Sequence, residues 1–285
     1  MKKLIMLAAA LAAAFGLMVT SAGAITGNFV EDFDHPFVGL VVFYDADGEF
    51  AWRCSGSLVS PTVFVTAGHC TDQNAADSPA SARIYFRQDA GEEFDGTIDP
   101  DTGYPETCIT DDPERADDIC VTATRLYDYG FDNFAGFPNH RDVGVIILDT
   151  PVTLSEYGVL PSPNLLDTLA ASTKKNDIWL TNSGYGVTRW TPALVSFRER
   201  LMSDAYVVNL HNSLTDGFNI QATANPGGGK GGTCNGDSGG PVLLRGTNVI
   251  VGVTSFGLNH RCRGVDFSYR IDRSEVLAWI ANPSN

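Results

Sequence analysis

Cys234-Asn235-Gly236-Asp237-Ser238-Gly239-Gly240-Pro241 sets one serine among three glycines. Glycine tolerates backbone angles that other residues avoid. The chain can therefore turn so that the N–H groups of Gly236 and Ser238 converge on one point, while Gly239-Gly240 leaves room for a second chain alongside. Such a turn suits a nucleophilic hydroxyl beside donors that receive negative charge developing on oxygen. A lone glycine turn would say little, but these eight residues as a set are highly specific. A nucleophile of this kind needs a base, and the base needs a carboxylate to hold its tautomer.

The base candidate is His69 in Val65-Thr66-Ala67-Gly68-His69-Cys70, which follows an apolar run and has a second cysteine, Cys54, upstream. The carboxylate candidate is Asp142 at the head of Asp142-Val143-Gly144-Val145-Ile146-Ile147-Leu148. An aspartate before a strand is ordinary turn chemistry. Asp142 gains meaning from lying between the other two motifs, in the order His, Asp, Ser.

The remainder alternates short apolar runs with turns. Phe37 to Tyr44 is apolar, β-branched and aromatic, and stops at Asp45-Ala46-Asp47-Gly48. Ser57 to Val59 and Val63 to Val65, joined through Ser60-Pro61, predict a hairpin. Residues 179–182, 205–208, 241–244 and 249–254 continue the series. Short strands punctuated by Gly, Pro, Asn and Asp indicate an all-β barrel or sandwich. Helix is scarce. The best candidate is 272–281, with Asp272 as cap, Glu275 reaching back, and Val276, Leu277, Trp279 and Ile280 as the packing face. Asp89 to Asp118, rich in acid and enclosing Cys108, and the glycine run 227–232 read as surface loops.

Taken together, the three motifs resemble the chymotrypsin/trypsin-like serine protease family, and the likeness runs through the chain from residue 25 onward. Ile25-Thr26-Gly27-Asn28 looks like the family's free N-terminal Ile-Val-Gly-Gly. Gly184-Tyr185-Gly186 looks like its Gly-Trp-Gly turn, Ser255-Phe256-Gly257 like the strand that pairs with substrate backbone, and Trp279-Ile280 like the end of the terminal helix. The resemblance implies two six-stranded antiparallel β-barrels, roughly 25–150 and 151–270, with a triad of His69, Asp142 and Ser238 in the cleft between them. It implies an oxyanion hole from Gly236 and Ser238, and a pair between the Ile25 amine and Asp237. Six cysteines alone permit 15 pairings. By position in the family, Cys54–Cys70 and Cys234–Cys262 follow, and Cys108–Cys120 is left to staple the acidic insertion. The implied activity is that of a serine-type endopeptidase, and the rival is an inactive homologue that only binds.

The chain also departs from the pattern. His69 and Asp142 stand 73 residues apart, longer than the family usually shows, and the acidic loop accounts for the excess. In tryptic members an aspartate lies six residues before the nucleophile, where this chain has Gly232, followed by Thr233. The expectation is an open, uncharged pocket taking apolar or aromatic side chains. The alternative is Asp266, on the opposite wall, directing cleavage to Lys or Arg. Asp99, Asp101 and Gly103 lack the remainder of a calcium loop, so no metal or cofactor is expected.

The first 24 residues read as a secretory leader. Lys2-Lys3 is basic, Leu4 to Val19 is apolar, and Ala22-Gly23-Ala24 is an A-x-A cleavage site. The apolar run is shorter than the ~20 residues that span a bilayer. The remaining 261 residues carry 17 basic and 34 acidic side chains, a net −17. A surface so acidic repels nucleic acid and anionic membranes but does not identify a substrate; the family resemblance implies protein or peptide substrates, and a monomer is expected. Six cysteines, an even count with no close C-x-x-C pair, suit disulfides in an oxidising compartment, extracellular or periplasmic.

Overall fold

The computed structural model describes residues 25–74, 78–90, 103–105, 108, 120–187, 189–190, 193–194 and 198–283. The expected leader, Asp99 and Asp101 lie outside them. Two antiparallel sheets dominate. The first runs Val121–Ala123, Ser81–Tyr85, Val38–Tyr44, Phe50–Ser60, Val63–Thr66, Gly144–Ile147, Arg125–Asp128. Every residue of Val38–Tyr44 is buried, as a strand reading as a continuous apolar run demands. The expected hairpin forms around Pro61, with Ser57 opposite Val65 and Leu58 opposite Phe64.

The second sheet closes on itself, because Trp179–Gly184 pairs with both Leu201–Asn209 and Pro241–Leu244. Ile250–Gly257, Val265–Arg270 and Asn219–Thr223 complete a ring of six. Val30–Glu31 adds a seventh strand outside the ring, against Leu201 and Met202. The first sheet also has seven strands and is nearly closed. The chymotrypsin-like double barrel is thus present, with one strand beyond six on each side.

Buried polar residues join the halves. Arg200 is 3% exposed. Its guanidinium donates to the carbonyls of Asp32 (3.0 Å), Val38 (3.0 Å) and Phe86 (2.8 Å) and to the Tyr185 hydroxyl (3.2 Å). Ser55, on a first-sheet strand, has its N–H on the Ser238 carbonyl (2.8 Å) and its hydroxyl on the Gly236 carbonyl (2.8 Å), and accepts the Tyr185 N–H (2.9 Å). The loop bearing the candidate nucleophile therefore hangs from the opposite barrel.

Two helix expectations need correction. The terminal helix is Ser274–Ile280, and Asp272 does not cap it. Asp272 is fully buried and neutralises the buried Arg270, with Arg270 Nε 2.8 Å from Oδ1 and Nη2 2.9 Å from Oδ2. An unpaired guanidinium at that depth would be costly, so the carboxylate is taken inward. Glu275 reaches back only as far as the Arg273 guanidinium. The spare capacity of Asp272 caps a different helix, Leu165–Ser172, by accepting the Leu166 N–H at 2.9 Å.

All three disulfides have the expected partners: Cys54–Cys70, Cys108–Cys120 and Cys234–Cys262. The acidic insertion is more than a surface loop at Tyr104, which is 1% exposed and joins the first core. Its ring lies 5.6 Å from that of Tyr85, and its hydroxyl accepts from Arg53. Tyr104→Ala is accordingly expected to cost about 3 kcal/mol, as for other large aromatic truncations. A denaturant midpoint under oxidising conditions measures this; a loss below about 0.5 kcal/mol would return the segment to the surface.

Candidate active site

Val63–Thr66 delivers the chain to a single 3₁₀ turn, Gly68–Cys70, which the Cys54–Cys70 disulfide holds against the neighbouring strand. His69 sits on this turn. Its Nδ1 lies 2.9 Å from Asp142 Oδ2 and 3.1 Å from Oδ1, and its own backbone N–H donates to Oδ1 at 2.8 Å. Asp142 is fully buried, and Ser255 Oγ donates to its Oδ2 at 2.5 Å. Burial opposes ionisation of Asp142, yet the His69 charge and the hydrogen bonds from His69 and Ser255 hold it below the usual carboxylate range. Burial likewise opposes the imidazolium of His69, but Asp142, Asp128 and Asp72 together raise it above its ordinary value. With Nδ1 engaged by the carboxylate, Nε2 is left for the cleft.

That cleft, about 760 Å³, is lined by His69 and by Gly236, Ser238, Ser255, Phe256 and Gly257. The serine loop keeps its shape through Asp237 N–H to the Cys234 carbonyl (3.0 Å) and Gly240 N–H to the Asp237 carbonyl (2.8 Å). Gly239 has φ +78°, and a Cβ there would fall 2.1 Å from Thr66 Oγ1, so the position requires glycine. No carbonyl among the described residues takes the N–H of Gly236 or Ser238. Both residues line the cleft.

Thr233 and Asp266 line the same cleft. Asp266 is 4% exposed and its Oδ2 accepts the Thr233 N–H (2.5 Å) and hydroxyl (3.0 Å). A Cβ on Gly232 would meet Asp266 Oδ2 at 2.6 Å. The missing side chain at 232 therefore makes room for a carboxylate reaching across from strand Val265–Arg270. The arrangement places Asp266, the alternative to an uncharged pocket, in the cleft beside Gly232 and Thr233, where burial pushes its carboxyl up to about 6. The two candidate positions are neighbours in space although 34 residues apart in sequence.

Behind the serine, Asp237 is fully buried, accepting the N–H groups of Gly186 (2.8 Å) and Cys234 (2.8 Å) and the backbone N–H of Ile25. Desolvation pushes it up to about 7. Ile25 is also fully buried and holds φ +66°, rare for a β-branched residue. Ile25 and Asp237 meet here through a backbone N–H and not through the free amine of the expected pair. Cys54, Cys70 and His69 bring their ligand atoms close together, but the cysteines are bonded to each other and offer no thiolate to a metal.

Sequence reading missed Asp72 and Asp128 near His69, and an aromatic group, Phe131, Phe134 and Phe137, packed around His140 beside the cleft. Phe134 and Phe137 also meet Phe256 edge-on. The signal was there in Phe131-Asp132-Asn133-Phe134-Ala135-Gly136-Phe137, but it has no period of 2 or 3.6.

A double β-barrel with an aspartate–histidine pair opening on a serine-lined interbarrel cleft defines the chymotrypsin-like class. The Trypsin family model matches residues 27–280, and the chain belongs to that family of serine proteases. Brachyurin of Leptuca pugilator is 28% identical over 220 residues, 73% of this chain and 77% of the relative. Chymotrypsin-like elastase family member 1 of Felis catus is 26% identical over 251 residues, 84% and 81%. Among solved structures, HL collagenase superposes with a TM-score of 0.62 at 20% identity, covering 90% of this chain and 96% of that one. A scabies mite inactivated protease paralogue gives 0.60 at 18%, covering 92% and 99%. At these identities the structural likeness concerns the fold alone.

Proposed function

We propose that this chain is a secreted serine endopeptidase in which Ser238, His69 and Asp142 form the catalytic triad. The observation that carries the reading is the pair of buried Asp142 and half-buried His69 facing the cleft that Ser238 lines. Ser238 Oγ attacks the substrate carbonyl carbon as His69 Nε2 takes its proton, and Asp142 stabilises the imidazolium. The N–H groups of Gly236 and Ser238 receive the oxyanion. His69 then protonates the departing amine, leaving an acyl ester on Ser238. Water, deprotonated by His69, opens that ester. All proton transfers use side chains of this chain.

The fold is shared with an inactivated paralogue, so an inactive binding protein is the second reading. A serine-directed fluorophosphonate separates the two. Covalent labelling of Ser238 is expected, and a folded protein that stays unlabelled would leave the binding role. Residues 1–24, three disulfides and the acidic charge support export, to act as a monomer on peptides or proteins rather than nucleic acid or membrane.

Asp266 supports a preference for Arg or Lys at the cleaved bond. Its Oδ2 is occupied by Thr233 and its Oδ1 remains for a cation. Because its pKa is raised to about 6, the pocket is charged above that pH and becomes neutral below it. Asp266→Gly is expected to lower kcat/KM for Arg substrates roughly a hundredfold, leaving Phe or Leu substrates little changed. Chromogenic peptides assayed on either side of pH 6 check both effects. A Phe or Leu preference that ignores the substitution would overturn the assignment.

A further inference from the structure

His140 lies two residues before Asp142 and is fully buried. Its ring stacks on Phe134 (4.8 Å, 26°) and Phe137 (5.8 Å, 26°) and meets Phe256 (5.6 Å) and Tyr269 (5.2 Å) near right angles. Each ring nitrogen faces an oxygen. Nε2 is 3.0 Å from Ser255 Oγ, and Nδ1 is 3.1 Å from the Pro138 carbonyl, which also accepts from Asn219 at 2.9 Å.

A hydroxyl carries one hydrogen. Ser255 stands 2.5 Å from Asp142 Oδ2, and an ionised carboxylate only accepts, so the Ser255 hydrogen belongs to Asp142. Toward His140, Ser255 can then only accept. We propose that His140 is a positioning residue of the proposed catalytic machinery: its Nε2–H donates to Ser255, which directs the Ser255 hydrogen onto Asp142 and so steadies the carboxylate that orients His69. The proposal rests on the peptidase reading and adds His140 behind Ser255.

The other neutral tautomer would place its hydrogen on Nδ1, toward Pro138, and turn Nε2 into a competitor for the Ser255 hydrogen. That would leave two oxygens 2.5 Å apart with no proton between them. The Nε2–H form gives up the Nδ1–H bond to the Pro138 carbonyl, a neutral bond, and keeps the charge-assisted O–H···O⁻ bond, which is roughly twice as strong. Doubly protonated His140 would satisfy Pro138 as well, and aromatic faces favour a cation. Burial nevertheless draws His140 below the ordinary imidazole value, and Asp142 offsets only part of this. The charged form therefore gathers on the acid side. The titratable groups facing it are Asp132 and Asp142 from its own loop, His69 from the 3₁₀ turn, and Tyr269 from strand Val265–Arg270.

The test is a double-mutant cycle on full-length processed protein with a small ester, normalised by fluorophosphonate titration. His140→Phe keeps a flat ring among the aromatics and removes the N–H. It is expected to lower kcat roughly five- to twentyfold with KM little changed, and to move the acid limb of the pH profile. In a Ser255→Ala background the same change should alter kcat less than about twofold, since the path it acts through is gone. His140→Gln, which can still donate, should recover part of the loss. Effects that multiply independently, or that fall on KM alone, would overturn the relay. Nitrogen-15 NMR of the resting protein needs no activity: a protonated His140 Nε2 is expected, and a bare one would overturn the proposal even in an active enzyme. Wild-type protein that resists the fluorophosphonate while showing a protonated Nε2 would instead sink the peptidase reading, and the catalytic role of His140 with it.

Discussion

Ser238→Ala is expected to lower hydrolysis of a peptide ester by at least about 10⁴-fold while the protein unfolds at an unchanged denaturant midpoint. The expectation follows from what the other groups can do alone. His69 without a hydroxyl to deprotonate has no nucleophile to activate, and the N–H groups of Gly236 and Ser238 would still bind the carbonyl oxygen. Residual turnover above water would come from that binding. Ser238 is half-buried at the cleft wall and its hydroxyl carries no structural bond among those described, so the fold does not depend on it. His69→Ala should be nearly as damaging, because base and nucleophile act as one unit. Steady-state kinetics on the purified variants checks both, and wild-type-like turnover by either would end the triad assignment.

The second large effect concerns the N-terminus. Protein beginning at Ile25 is expected to be at least about a hundredfold more active than protein carrying residues before it, since a displaced oxyanion donor costs that much. Asp237 is buried, its hydrogen bonds among the described residues come from backbone N–H groups, and burial raises its pKa to about 7. A carboxyl raised above its unfolded value stabilises the fold at low pH, and that contribution is lost as pH rises through about 7. A cation at this point would reverse the balance. Ile25 already directs its backbone nitrogen at Asp237, and cleavage after Ala24 would turn that nitrogen into an ammonium group. Its ordinary pKa is about 7.7–8.0, raised by the pairing, so activity of the processed form should fall only when alkaline pH removes the proton. Cleavage also abolishes the φ angle of Ile25, at present +66°, and with it a strained torsion. The comparison is between Ile25–Asn285 and the same chain with an uncleaved tag. Equal activity would sink the hypothesis.

Much of the fold was legible because the strands carry their own signals. Val38–Tyr44 and Gly144–Ile147 read as buried runs, and the Ser60-Pro61 turn named its hairpin. The three candidate catalytic residues stood out because each lay in a distinct motif. Other features were hidden because their causes are not local. Helix Leu165–Ser172 is capped by Asp272, 106 residues away, and the same carboxylate answers a buried arginine. Asp266 could not be placed from its own segment, because its role depends on an empty Cβ position at Gly232. His140 carries no signal of its own in the sequence, because its role comes from the turn after Pro138 and strand Ile250–Gly257 meeting at Ser255.

The hanging of the serine loop from Ser55 has a consequence for the order of events during synthesis. A ribosome delivers the first barrel, with His69 and Asp142, nearly a hundred residues before Ser238 emerges. The late segment brings more than the nucleophile. It also carries Ser255, which donates to Asp142, and Gly236, which lines the cleft. On the proposed reading, truncated or half-folded chains thus contain a general base with nothing to activate. On that reading hydrolytic power would arrive only with the last closing of the two barrels, and a nascent chain would not cut its neighbours.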